Sequence, residues 1–199
     1  MIAFINKIMY NNSMNNEKLT QMPHLYLDMD GVQADLFTAV AKLENVEHWD
    51  DIPDQDQAIT RLSLTGPLEV YQLFRNLNPL QGGQVIIEWL HNNKIPFSVL
   101  SAPLRNEGQA SIDAKRDWLD EFNPGSSENA IFTKRKFKYA ITDGRPNVLV
   151  DDFNYYLHSW AEAGGIAVKH SDSSTEHTIM QLEKIYEPWL NKYSEISKS

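Results

Sequence analysis

Two short apolar runs, each ending on paired aspartates, constrain this chain more than any other feature. His24-Leu25-Tyr26-Leu27 runs into Asp28-Met29-Asp30-Gly31-Val32, and Asn147-Val148-Leu149-Val150 runs into Asp151-Asp152. In an extended strand, residues i and i+2 point to the same side, so Asp28 and Asp30 leave one strand end together. Like charges this close resist joint ionisation unless a cation or a shared proton offsets them. In an open parallel sheet, ligands bind beyond the carboxyl ends of the strands, near the point where strand order reverses. Two strands that both end in carboxylates bring at least three acids to one such edge, a ligand set suited to a hard cation.

The rest of the chain supplies the elements such a sheet needs. After Asp35 the pattern is helical through Leu43. From Glu44 to Pro79 there is no strand signature, only short helical stretches punctuated by Asp50-Asp51-Ile52-Pro53-Asp54 and Thr65-Gly66-Pro67. Gln81-Gly82-Gly83 opens a helix carrying Val85, Ile86, Trp89 and Leu90 at helical spacing, and His91-Asn92-Asn93-Lys94 ends it. Phe97 to Leu100 reads as a strand ending in Ser101-Ala102-Pro103. A helix with Ile112, Trp118, Leu119 and Phe122 on its core face follows, then a short strand at Ile131-Phe132-Thr133. After Val148 to Val150 come a helix over Tyr155 to Ala163, stopped by Gly164-Gly165, a strand at Ile166 to Val168, and a closing amphipathic helix from Thr178 to Tyr193. Strands alternating with helices predict an α/β fold: a parallel sheet with helices on both faces.

A chain of 199 residues, 42% hydrophobic and 23% charged, holds one core with room for a small inserted module. The expected organisation is a poorly ordered extension over 1–22, a catalytic core from 23–36 and 80–199, and a small helical cap over 37–79. With no cysteine, disulfides, thiolate metal sites and cysteine nucleophiles are excluded. The net charge of -9 lacks the basic footprint of a nucleic-acid binder. No apolar run reaches the ~18 residues of a membrane span, and the amino terminus lacks a signal-peptide pattern. A cytoplasmic location is therefore expected, with neither a nucleic acid polymer nor a membrane as partner; a homodimer is left open. Phosphate-binding glycine loops, a zinc-protease His pair and a serine-nucleophile elbow are all absent, and Asp28 does not open a calcium loop.

The ordered set of signals is more specific than any one of them. Asp28-x-Asp30-Gly31, then Ser101 at a strand end, then a lysine after Thr133, then Asp151-Asp152, resembles the haloacid dehalogenase (HAD) superfamily of phosphotransferases across residues 24 to about 190. Asp28-Met29-Asp30-Gly31-Val32-Gln33-Ala34-Asp35, Phe132-Thr133-Lys134-Arg135-Lys136 and Leu149-Val150-Asp151-Asp152 are similar to the 5′(3′)-deoxyribonucleotidases of that superfamily. Gln33 departs from the apolar residue usual there and is expected beside the site.

The resemblance implies a Rossmann-like HAD core with the cap inserted after the first strand. It implies hydrolysis of a small-molecule phosphate monoester, most directly a deoxynucleoside monophosphate, with Mg2+. Asp28 would be the nucleophile and Asp30 the acid and base, its main-chain carbonyl also binding the metal with Asp28, Asp151 and Asp152. Ser101 would hydrogen-bond the phosphate, with Ala102 beside it. A lysine would balance charge: Lys136 fits the Thr-x-x-Lys spacing, with Lys134 and Lys138 as rivals. Arg105 is a candidate phosphate ligand, and Phe37, Trp49, Tyr71 and Phe74 are candidates for stacking a base, against plain core packing. The alternatives are a phosphatase for another small metabolite and a non-catalytic relative that binds magnesium and ligand.

Overall fold

A computed structural model describes residues 22–196. The extension expected over 1–22 lies, apart from Met22, outside the described residues. Five parallel strands make the sheet: β1 (Leu25–Leu27), β2 (Phe97–Ser101), β3 (Ile131–Phe132), β6 (Val148–Asp151) and β7 (Ile166–Lys169), in the order β3-β2-β1-β6-β7. Strands β4 (Ile141–Thr142) and β5 (Arg145–Pro146) form a separate antiparallel hairpin. The chain fills one side of β1 with β2 and β3, then crosses to the other with β6 and β7. The reversal therefore falls between β1 and β6, the two strands that end in aspartates.

Alternation along the strands sorts side chains onto two faces. Leu25 and Leu27 of β1 join Val148 and Val150 of β6 in a cluster with Ile86, Leu90, Leu182 and Tyr186. These last come from α4 (Gln81–Asn92) and α7 (Thr175–Ile196). Tyr26 and Leu149 point the other way, to Leu157 and Trp160 of α6 (Asn154–Glu162). The register Leu25↔Val148, Tyr26↔Leu149, Leu27↔Val150 keeps both sets in phase. Central strands covered on both faces read as continuous apolar runs, the pattern of both acid-tipped segments.

Between β1 and α4 the chain is helical: α1 (Leu36–Leu43), a 3₁₀ turn (Trp49–Asp51), α2 (Gln55–Leu62) and α3 (Pro67–Arg75). Asp35 caps α1 by accepting from Thr38 N at 3.1 Å, and Asp54 caps α2 by accepting from Gln57 N at 2.9 Å. Pro67 starts α3, where a missing N–H costs nothing. These helices share a core with α5 (Gly108–Phe122): Val40, Leu62, Val70, Phe74 and Leu77 pack with Trp118 and Leu119. Trp118 Nε1 donates to Leu77 O at 2.8 Å, Arg75 pairs with Glu121 at 2.6 Å, and the Tyr71 hydroxyl donates to Asp117.

That shared core holds two of the candidate stacking residues. Phe74 is 1% exposed, and Tyr71 spends its hydroxyl on α5. Phe74→Ala should cost ~3–5 kcal/mol of stability by opening a cavity. Its melting temperature should fall by on the order of 10 °C. An unchanged melting temperature would remove Phe74 from the core.

Gly82 and Gly83, expected at a helix boundary, lie in the first turn of α4. A Cβ on Gly83 would stand 2.3 Å from the Val32 carbonyl oxygen and 2.7 Å from Gln33 Cα. The glycine thus lets α4 start directly beneath the loop that follows β1.

Candidate active site

The loop after β1 is held by its own backbone. Asp28 N donates to Val150 O at 3.0 Å, which extends the ladder to the first acid. The Met29 carbonyl accepts from the N–H groups of Val32, Gln33 and Ala34, and Gly31 N donates to Ala34 O. Gly31 sits at φ +74, and a Cβ there would meet Phe37 at 2.5 Å and the Asp152 carboxyl at 2.7 Å. Only glycine lets the loop turn and leaves room for Asp152. Gln33 is fully buried and lines neither of the clefts described below. Its Nε2 donates to Asp28 O at 2.8 Å and its Oε1 accepts from Asn123 at 3.0 Å, so it braces the loop after β1 from beneath.

Asp28, Asp151 and Asp152 each place a carboxylate oxygen so that all three lie within 4.8 Å of one another. Lys136 faces this cluster, with Nζ 2.8 Å from Asp28 Oδ1 and 2.7 Å from Asp151 Oδ2. It is buried and covered by the Tyr156 ring at 4.4 Å, whereas Lys134 and Lys138 are exposed. Among the three rival lysines the structure brings Lys136 to the acids. The other oxygen of Asp151 accepts from Phe153 N at 2.8 Å.

One ammonium does not balance this much negative charge. Burial, then Asp28, pushes Asp151 up to about 7 against the pull of Lys136. Burial, then Asp28 and Asp151, pushes Asp152 up to about 8. Burial alone would lower Lys136, but Asp28 and Asp151 hold it above the ordinary lysine range. The donor set is all oxygen, compact and short of positive charge, which fits a small hard cation such as magnesium.

On the other side of the loop lies Asp30, whose carboxyl burial raises above its ordinary value, with Lys115 opposing and Asp28 adding to the rise. Ser101, at the end of β2, is fully buried. Between them stands Lys115, which the sequence reading passed over. Its Nζ lies 2.6 Å from Asp30 Oδ2, 3.1 Å from Ser101 Oγ and 2.8 Å from Ala102 O. A signal was there: Ser111, Lys115, Trp118 and Leu119 follow helical spacing on the buried face of α5. A lysine on such a face requires a buried partner.

A cleft of about 690 Å³ opens over Asp28, Asp30 and Asp152, lined also by Phe37, Trp49 and Arg105, while Ser101, Lys115 and Lys136 lie buried behind it. The Phe37 and Trp49 rings lie 4.9 Å apart. An adjoining cleft of about 500 Å³ is bordered by Phe74, Lys134, Phe153 and Tyr155. Ala102 lines both, as does Arg105, which is 3.4 Å from Asp56 across the opening. Tyr71 lines neither.

No family model matches the sequence, and no curated protein does. Solved structures do match the fold. A HAD family hydrolase from Deinococcus radiodurans, solved with bound phosphate and sodium, superposes with a TM-score of 0.51 at 12% identity, covering 85% of this chain and 97% of its own. The fold is that of the HAD-like hydrolases. A family IA HAD hydrolase from Entamoeba histolytica matches 80% of this chain and 89% of its own at 14% identity and a TM-score of 0.47. The HAD domain of the effector Lem4 from Legionella pneumophila, an inactive mutant, matches 86% and 98% at 10% identity and a TM-score of 0.45. Among the described residues no helix is long and apolar enough to cross a membrane.

Proposed function

We propose that this chain is a magnesium-dependent phosphate monoester hydrolase that works through an aspartyl-phosphate, with a deoxynucleoside monophosphate as leading substrate. The observation that carries the reading is the placement of Asp28: at the β1 tip, against Lys136, grouped with Asp151 and Asp152, and two residues from Asp30. A bound magnesium ion, held by Asp28, Asp151 and Asp152, would offset the repulsion between carboxylate and phosphate.

The chain's own groups supply the rest. A carboxylate oxygen of Asp28 attacks phosphorus, and the bond from phosphorus to the ester oxygen breaks. Asp30, raised above its ordinary value by burial, gives its proton to the departing oxygen. In the second half, Asp30 takes a proton from water as that water attacks the phosphoenzyme. Inorganic phosphate leaves and Asp28 is restored. Lys136 and the Ser101 hydroxyl hold the charge that spreads over the phosphoryl oxygens.

The nucleotide assignment is supported by the cleft's size, by the Phe37–Trp49 ring pair at its wall, and by the deoxyribonucleotidase-like motifs. Phosphate release over a panel of monophosphates is the test. Deoxynucleoside monophosphates should exceed sugar and polyol phosphates in kcat/KM by at least about tenfold, ~1.4 kcal/mol. Preference for another ester would keep the hydrolase and remove the nucleotide. Ligand binding without release from any ester would leave a binding protein instead.

A further inference from the structure

We propose that Lys115 is the positioning residue for proton transfer at this site: it locks the Asp30 carboxyl and the Ser101 hydroxyl into one fixed arrangement. The inference rests on the hydrolase reading above and adds a residue that reading does not use. Lys115 is 0% exposed. An ammonium has three N–H donors, and Lys115 Nζ has three oxygen partners: Asp30 Oδ2, Ala102 O and Ser101 Oγ. The Phe74 ring lies 5.0 Å from Nζ and closes the remaining side. An ammonium so enclosed has little freedom to move, and its partners inherit that rigidity.

Two consequences follow for the reacting groups. Asp30 Oδ2 is committed to Lys115, while Asp30 Oδ1 is buried with no hydrogen-bond partner among the described residues. Oδ1 is therefore the oxygen left to carry a proton to the departing ester oxygen. Ser101 Oγ accepts from Lys115, which leaves its own O–H to donate to phosphate. The two buried lysines divide the work. Lys136 contacts Asp28 and Asp151, on the side of nucleophile and metal, and Lys115 contacts Asp30 and Ser101, on the side of the departing group. Both Lys115 and the Asn123 that braces Gln33 come from α5 and its end, so one helix fixes the β1 loop from two points.

The leaving group distinguishes this role from a merely structural one. A nitrophenolate departs without help, whereas an alkoxide needs a proton, and general acid catalysis contributes ~10²–10⁴-fold where it is needed. Lys115→Met should lower kcat on a nucleoside or alkyl monophosphate at least about 100-fold and on p-nitrophenyl phosphate less than about tenfold. In an Asp30→Asn background, adding Lys115→Met should produce no further loss on the alkyl ester, because the lysine acts through the carboxyl. That double variant removes a buried charge with its partner, so it keeps the comparison available if Lys115→Met alone fails to fold. Equal losses on both ester types, or a full additional loss in the Asp30→Asn background, would overturn the assignment and leave the hydrolase reading standing. A wild-type protein inactive on every ester in the series would overturn both.

Discussion

Asp28→Asn should give a folded protein with almost no turnover, down at least ~10³-fold on every phosphate monoester. The amide nearly matches the carboxylate in volume but cannot attack phosphorus. Stability should hold, because Lys136 keeps Asp151 at 2.7 Å and the crowding of Asp28 against Asp151 and Asp152 is relieved. Rapid acid quench of the wild type with labelled substrate should leave phosphate on Asp28, located by peptide mass. Activity in the variant at more than a few per cent of wild type, with deamidation excluded by mass, would end the covalent mechanism.

Removal of metal should abolish turnover as completely, with magnesium restoring it and calcium doing so poorly. Magnesium keeps a tight octahedral shell, whereas calcium takes more ligands at longer distance. The same cluster makes a pH prediction whose sign can be worked out. Asp151 is pushed up to about 7 and Asp152 up to about 8 in the folded chain, against an ordinary 3.8. Between those values the metal-free folded state binds more protons than the unfolded state, so its stability falls as pH rises from about 4 to about 8. Lys136 stays protonated across that window and adds no slope. A cation replaces the protons, so the rise in melting temperature on adding magnesium should be larger at pH 8 than at pH 5. An equal rise at both pH values, or full activity in chelator with metal content verified as negligible, would rule out this role for the cluster.

The sheet was legible in the sequence because central parallel strands are buried on both faces. Leu25-Tyr26-Leu27 and Val148-Leu149-Val150 have no polar alternation to confuse with helix, and each ends abruptly on acid. The β4–β5 hairpin went unread although Asp143-Gly144, at φ 51 and 73, is a two-residue turn signal. Its strands are two residues each and largely exposed, too short to leave a hydrophobic period. Lys115 was missed for a related reason: one cation inside an amphipathic helix looks solvated until the helix face is known.

Local pattern alone made the order along the chain of the five sheet strands and the acids at two of their tips readable, because these depend on neighbouring residues. It left three lysines open after Thr133 and four aromatics open for the cleft. Tertiary packing places them differently. The 3₁₀ turn at Lys136–Tyr139 turns Lys136 inward and leaves Lys134 and Lys138 in solvent. The packing of α3 on α5 buries Phe74 and occupies the Tyr71 hydroxyl, while Phe37 and Trp49 are left at the cleft wall. Contacts between residues some 70 to 90 positions apart, such as Lys115 with Asp30 and Asn123 with Gln33, depend on how whole helices dock. No local pattern encodes that docking; burial of the apolar faces fixes it only once the chain has closed on itself.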